Sequence, residues 1–128
     1  MKFAKVVYYV AGIYGGLIIL MGYFSEPWVG RAHPPAITHP EYFYGFMGVA
    51  LAWQIAFLII ASDPLRYRGM MIPSMIEKVS YGVAVIVLFE LHRIDGTVFL
   101  LGSVDWILFF AFVASWFATR PRPGHNGN

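Results

Sequence analysis

The chain has 128 residues, of which 59% are apolar and 12% are charged, and its mean hydropathy is +0.63. Because soluble domains carry about 25% charged residues, this composition excludes an ordinary soluble protein. The net charge of +2 would suggest nucleic acid in a soluble domain, but here membrane topology explains the cations. The chain has no cysteine, which excludes disulfides, thiol catalysis, iron–sulfur clusters and thiolate zinc sites.

Four apolar stretches occupy most of the chain, at residues 6–24, 42–61, 73–91 and 104–118. Each is close to the ~20 residues that a helix needs to cross the hydrocarbon of a bilayer. We therefore predict an all-α, four-helix membrane bundle as a single domain over residues 1–120, with a short polar tail at 121–128. The first stretch follows two lysines like a signal peptide, but no A-x-A-like cleavage site follows it, so we interpret it as a retained span.

Proline and capping residues predict where the connections lie. Pro34 and Pro35 keep the first connection, residues 25–41, out of helix, and Pro40 suits the start of the second span. Ser103 is a candidate N-cap of the fourth span, which would place Asp105 in its first turn.

The cations predict the orientation of the bundle. Seven of the nine Lys and Arg residues fall on the side of the two termini. They are Lys2, Lys5, Arg66, Arg68, Lys78, Arg120 and Arg122. Only Arg31 and Arg93 fall on the other side, so the positive-inside rule places both termini in the cytoplasm of a multi-pass inner-membrane protein.

Small residues recur at helical spacing on three spans. Gly12 and Gly16 form a G-x-x-x-G, and Ala111 with Ser115 repeats the spacing on the fourth span. Gly48, Ala52 and Ala56 form a similar stripe on the second. Such stripes allow helices to approach closely, either between two copies of a chain or within one bundle. We favour packing within the bundle, because four helices already need close interfaces.

Polar residues inside spans are candidate functional residues, because an ionisable group in hydrocarbon is costly unless it is paired or hydrated. By depth, Gln54 should pair with Ser80 or Tyr81 of the third span. We expect Glu77 to face inward and Lys78 to snorkel, because adjacent helical residues point about 100° apart. Gln54, Glu77 and Tyr81 then line a pocket for a lipid head group, a quinone or a proton. The alternative is that they only hold two helices together.

The outer side gathers five of the seven acids and three of the four histidines. They are Glu26, His33, His39, Glu41, Glu90, His92, Asp95 and Asp105. Imidazole and carboxylate suit divalent metals, which makes His33, His39 and Glu41 a candidate metal site, although no H-E-x-x-H or E-x-x-H spacing is present. Alternatively, these residues form no site and simply occupy outer loops, from which membrane insertion excludes Lys and Arg.

Glu90 is the candidate catalytic carboxylate, because five apolar residues precede it and predict partial burial. His92 or Asp105 would be its partner, and Arg93 could equally neutralise it. His125 is expected to be a solvated tail residue. No nucleophile elbow, phosphate loop or nucleic-acid module is present in the sequence, and no residue set matches a specific catalytic motif.

Two segments resemble a known group of proteins. The entry to the second span, HPEYFYGFMGVALAWQ, and the basic hairpin DPLRYRGMM resemble small bacterial inner-membrane proteins of the DoxX-like type. The resemblance implies four spans and, for some members, association with respiratory or redox complexes. The absence of cysteine argues against a thiol-based member.

The span plan also resembles that of four-helix sterol-isomerase-like proteins, whose intramembrane carboxylates move protons on a lipid. Glu77 and Glu90 would take those roles, but they lie 13 positions apart, or roughly 20 Å along a helix, and cannot serve one double bond.

Three functional hypotheses remain. The favoured one is a non-catalytic accessory or scaffold module that binds lipid, quinone or a larger membrane complex. The second is a membrane enzyme for a lipophilic substrate that uses Glu90 with His92 or Asp105. The third is a component of a homo-oligomeric transporter. Membrane lipids are the expected partners, nucleic acid is not, and the candidate cofactors are lipid, quinone or a divalent metal.

Overall fold

The computed structural model describes residues 2–121 and contains five α-helices and no strand within them. The helices are α1 (Lys2–Gly22), α2 (Glu26–Ala32), α3 (Pro40–Ser62), α4 (Met71–Glu90) and α5 (Gly96–Ala118). A single 3-10 turn, Arg68–Met70, leads into α4. All but α2 are long and apolar enough to cross a membrane, which confirms the predicted all-α bundle of four spans.

Two features of the connections differ from the sequence prediction. Residues 25–41 are not entirely loop, because α2 forms there with Pro27 in its first turn, where proline costs no hydrogen bond. The fourth span starts at Gly96 instead of residue 104, since Asp95 is its N-cap and accepts a hydrogen bond from the Val98 amide at 2.9 Å. Ser103 is not a cap, and its hydroxyl donates to the Phe99 carbonyl.

The bundle consists of two helix pairs joined along one seam. α1 packs on α3, α4 packs on α5, and α1 also contacts α5, whereas α3 and α4 have little direct contact. The core lies where the pairs meet: the Tyr8 ring stacks on Phe112 with centroids 4.3 Å apart, and Phe57 meets the Phe112 ring edge-on at 5.0 Å. The core therefore joins α1, α3 and α5, and Met71 at the start of α4 completes it.

Glycines allow the close seams. An added Cβ at Gly12 would lie 2.7 Å from the Leu58 side chain, so α1 approaches α3 closely at this point. On the other pair, an added Cβ at Gly82 would lie 2.7 Å from the Trp106 indole nitrogen. Gly12 therefore packs within the bundle, as we favoured, because its bare backbone makes room for the neighbouring helix.

Polar contacts hold the helices together at each end of the bundle. We call the end where α1 begins and α5 ends the terminal end, and the opposite end, with α2, the loop end. At the terminal end, the Arg68 guanidinium donates to the Trp116 carbonyl at 2.9 Å and to the Thr119 hydroxyl at 3.1 Å. At the loop end, His33 Nδ1 lies 3.0 Å from Asp95 Oδ2, which links the connection after α2 to the start of α5.

Candidate functional site

Three ionisable side chains meet inside the membrane-spanning part of the bundle. Lys78 of α4 is only 5% exposed, and its Nζ lies 3.4 Å from Asp105 Oδ1 and 3.4 Å from Glu77 Oε2. Asp105 is the tenth residue of α5, about 14 Å along the helix from its start. Because charges in hydrocarbon cost several kcal/mol unless they are paired, this ionic cluster is the first place to look for function.

Lys78 does not snorkel, and the reason lies on two other helices. Asp105 provides a carboxylate at the depth of the ammonium, and Phe57 of α3 places its ring 5.3 Å from Nζ. A cation over an aromatic face is stabilised by the ring quadrupole. The long lysine side chain also brings its ammonium within ion-pair distance of its chain neighbour Glu77.

The two carboxylates bind the ammonium differently. Asp105 accepts a hydrogen bond from Lys78, while Glu77 Oε2 lies within ion-pair distance but in a direction that makes no hydrogen bond. With all three groups ionised, two negative charges face one positive charge. The ionic cluster therefore satisfies Asp105 and leaves Glu77 with one buried oxygen that lacks a donor.

A cleft lies beside this cluster, between the two helices that have little direct contact. It is open rather than enclosed, with a volume of about 320 Å³. Its α3 wall is formed by Phe46, Val49, Ala50 and Trp53, and its α4 wall by Glu77, Ser80, Tyr81 and Ala84. Both walls belong to membrane-spanning helices, and Phe46, Val49 and Tyr81 of its lining are exposed, so the cleft opens on the lateral surface of the bundle.

Of the three predicted ligand-binding residues, Glu77 and Tyr81 line this cleft and Gln54 does not. The Gln54 amide nitrogen donates to the Ala50 carbonyl at 3.0 Å, and its side chain lies against Gly15 of α1. Ser80 donates to the Glu77 carbonyl. The predicted pairing of Gln54 with Ser80 or Tyr81 is therefore wrong, because α3 turns Gln54 towards the glycines of α1.

The predicted catalytic residues are separated. Glu90 is exposed at the end of α4, so its predicted partial burial is wrong. His92 follows in the turn, exposed and with a left-handed φ of 56°, a conformation common just after a helix. Asp105 lies deep in its span beside Lys78 instead of at the outer mouth. The longer α5 is the physical reason, since it carries Asp105 away from the loop end.

The predicted metal ligands form two separate pairs. His39 Nδ1 lies 3.2 Å from Glu41 Oε1, whereas His33 is paired with Asp95. Within residues 2–121, no three His, Asp or Glu side chains come close enough together to hold a metal ion. His33, His39 and Glu41 therefore do not converge, because His33 turns to Asp95 at the end of α2, whereas His39 and Glu41 lie at the start of α3, beyond the intervening loop. His125 and the tail after Pro121 lie outside the described residues.

Sequence reasoning missed the Lys78–Asp105 pair. A signal was present, because the segment TVFLLGSVDWILFF is apolar on both sides of Asp105, which is typical of a residue within a span. If the apolar sequence on both sides of Asp105 is given more weight than the Ser103 cap, Asp105 is placed at the depth of Lys78.

Comparison with known proteins gives no assignment. No family model matches the chain, no curated protein matches it, and no solved structure matches it. The DoxX-like resemblance therefore stays an expectation. What stands is a small multi-pass membrane protein with four spans, an intramembrane ionic cluster and a cleft beside it.

Proposed function

We propose that this protein is a non-catalytic module that takes a lipophilic molecule, a lipid or a quinone, from the bilayer into the α3–α4 cleft. The observation that carries the proposal is the position of Glu77, which is both a wall residue of the cleft and a member of the intramembrane ionic cluster. Ligand sites combine apolar walls with a few polar groups that orient the ligand, and this cleft has that composition.

The dimensions and the setting support the proposal. A volume of about 320 Å³ lies at the lower end of the range for small-molecule sites and suits a head group with the first part of its chain. The remainder of the chain can stay in the bilayer, because the cleft opens laterally. Phe46 and Val49, which are 51% and 62% exposed, give the ligand an apolar entrance.

The surroundings also favour a role as an accessory subunit in a larger membrane complex. The spans use their residues for helix packing and lipid contact, and the carboxylate and imidazole groups considered for catalysis lie apart. We place the protein in a bacterial inner membrane with both termini in the cytoplasm. Lys2, Lys5, Arg66 and Arg68 all belong to the terminal end, which supports this orientation even though Lys78 is buried.

The test is to fill the cleft. Ala84→Phe adds a ring to the α4 wall, and Ala52→Phe adds the same ring to an exposed position of α3 that does not line the cleft. Wild type and both variants are purified in mild detergent, and the molecules that copurify are identified by native mass spectrometry. We expect a bound lipid or quinone on wild type and on Ala52→Phe, and its loss from Ala84→Phe.

The mass of the bound species separates the two ligand classes. A quinone mass supports a place beside a redox complex, and a phospholipid mass supports a structural or lipid-handling role. Equal occupancy of Ala84→Phe and Ala52→Phe by the copurifying molecule would show that the cleft is not the binding site and would contradict the proposal.

A further inference from the structure

We infer that the ligand of the α3–α4 cleft is a lipophilic cation: an organic ammonium group attached to an apolar chain. The inference rests on the proposed function, because it names the chemical class that the same cleft would select. Three observations lead to it: the charge of the ionic cluster, the aromatic walls of the cleft, and the position of Lys78.

The first observation is the charge that Lys78 leaves uncompensated. Both carboxylates lie 3.4 Å from the Lys78 ammonium, but only Asp105 accepts a hydrogen bond from it, and Glu77 keeps a buried oxygen without a hydrogen-bond donor. A buried carboxylate is stabilised by a second positive charge, because the surroundings screen poorly. A cation in the cleft would lie beside the Glu77 carboxylate and balance the second negative charge of the ionic cluster.

The second observation is the aromatic lining. Phe46 and Trp53 stand on the α3 wall and Tyr81 on the α4 wall, so rings face the cleft from both helices. The Phe46 and Tyr81 rings lie 6.2 Å apart between centroids, tilted by 32°. Aromatic faces attract cations electrostatically, and cages of such rings recognise quaternary ammonium groups. A neutral lipid head group would gain nothing comparable from them.

The third observation is that Lys78 does not repel such a ligand from the cleft itself. Lys78 is not among the wall residues, and its ammonium is held between Asp105 and the Phe57 ring. Its charge is therefore already matched by Asp105, which does not line the cleft. The wall presents only the Glu77 carboxylate to a ligand as a formal charge.

The experiment compares two probes of equal shape. Dodecyltrimethylammonium carries a permanent positive charge, while dodecyldimethylamine oxide has one methyl replaced by oxygen and is uncharged overall at pH 8. Equilibrium binding of each probe, and of decylubiquinone, is measured on the full chain in dodecyl maltoside micelles. We expect the cation to bind wild type about tenfold more tightly than the amine oxide, a preference of the size that one poorly screened charge pair supplies.

Three variants test which side chains cause the preference for the cation over the amine oxide. Glu77→Gln should reduce the ratio of the two affinities to nearly one. Tyr81→Leu removes a ring and should weaken cation binding by about three- to tenfold, while Tyr81→Phe keeps the ring and should not. Tyr81 is 40% exposed, so both substitutions should leave the fold intact and keep the test valid even if Glu77→Gln unfolds the bundle.

The outcomes separate this inference from the proposed function. Equal binding of cation and amine oxide, both lost in Ala84→Phe, overturns the inference and leaves a general lipophile site. Tighter binding of decylubiquinone than of the cation overturns it in the same way. Binding of every probe that is unchanged in Ala84→Phe overturns the proposed function, and the inference with it.

Discussion

The two faces of α4 pack in opposite ways. Towards α5, Val85 is 2% exposed and its methyl groups cover Gly102, while Gly82 lies under the Trp106 indole. Towards α3, Tyr81 and Ala84 stay open to the cleft, although they are immediate chain neighbours of Gly82 and Val85. One helix thus contributes to a closed seam and an open seam within a single turn.

The difference shows what closes a seam between helices in a membrane. In lipid, helices gain little from apolar burial and depend on close backbone approach. The closed seam places a glycine opposite a large side chain twice, at Gly82 and at Gly102. No glycine lines the open seam, and Phe46 and Trp53 project from α3. Without a glycine to let the two backbones approach, the α3–α4 seam leaves a cleft.

The largest expected effect comes from removing the charge that fastens the closed seam. Lys78→Met leaves Asp105 and Glu77 without their cation, and an uncompensated buried charge costs about 3–5 kcal/mol. We expect the free energy of unfolding to fall by about that amount, measured by reversible SDS titration in mixed micelles. The double variant Lys78→Met/Asp105→Asn should recover a large part of the loss. Full additivity of the two substitutions would contradict the pairing.

The next effect tests the glycine contacts. A Cβ added at Gly102 would lie 2.5 Å from Val85 Cγ2 and 2.9 Å from Cγ1, and a β-branched side chain has few alternative rotamers. Gly102→Ala should therefore lower the free energy of unfolding by about 2 kcal/mol. The matched control is Gly45→Ala on α3, where an added Cβ meets nothing within 4 Å.

The control should change the sign of the effect. Alanine is a better helix former than glycine, so Gly45→Ala should stabilise the protein by up to about 1 kcal/mol. Both variants are measured by the same SDS titration. Equal shifts for Gly102→Ala and Gly45→Ala would mean that the α4–α5 seam is looser than described.

The number of spans and their approximate positions could be predicted from the sequence, because hydrophobic length alone determines them. The start of α5 could not, because the signals of Asp95 and Ser103 as caps compete and only the folded backbone decides between them. Glu77 and Tyr81 were predicted as wall residues from their depth. Gln54 was not placed correctly, because depth says nothing about the rotation of α3 about its axis.

The ionic cluster could not be predicted from the sequence for a similar reason. Each of its residues stands in the printed sequence, but the pairing of Lys78 with Asp105 joins helices whose register no local pattern specifies. The predicted fourth span started eight positions too late, which put Asp105 on the outer side of the membrane instead of beside Lys78. A tertiary contact between spans therefore depends on the least predictable quantity, the exact helix end.

A smaller effect tests whether the closed seam extends to the terminal end. The Arg68 guanidinium lies 3.5 Å over the Trp116 ring and donates to the Trp116 carbonyl, so it fastens the turn before α4 to the end of α5. Arg68→Lys keeps the charge but loses the planar donor, and should cost about 1 kcal/mol in thermal or SDS unfolding. Arg66→Lys, at an exposed position, should have no measurable effect.

The smallest stability effect belongs to the open seam. Ala84→Phe adds a large ring where the structure leaves about 320 Å³ free, so we expect the free energy of unfolding to stay within about 0.5 kcal/mol of wild type. The same alanine-to-phenylalanine change in a closed seam would cost several times more. A loss above 2 kcal/mol for Ala84→Phe, measured by the same SDS titration, would mean that α3 and α4 close on each other in the membrane. The contrast between the two faces of α4 would then disappear, because a seam that rejects added volume is already packed.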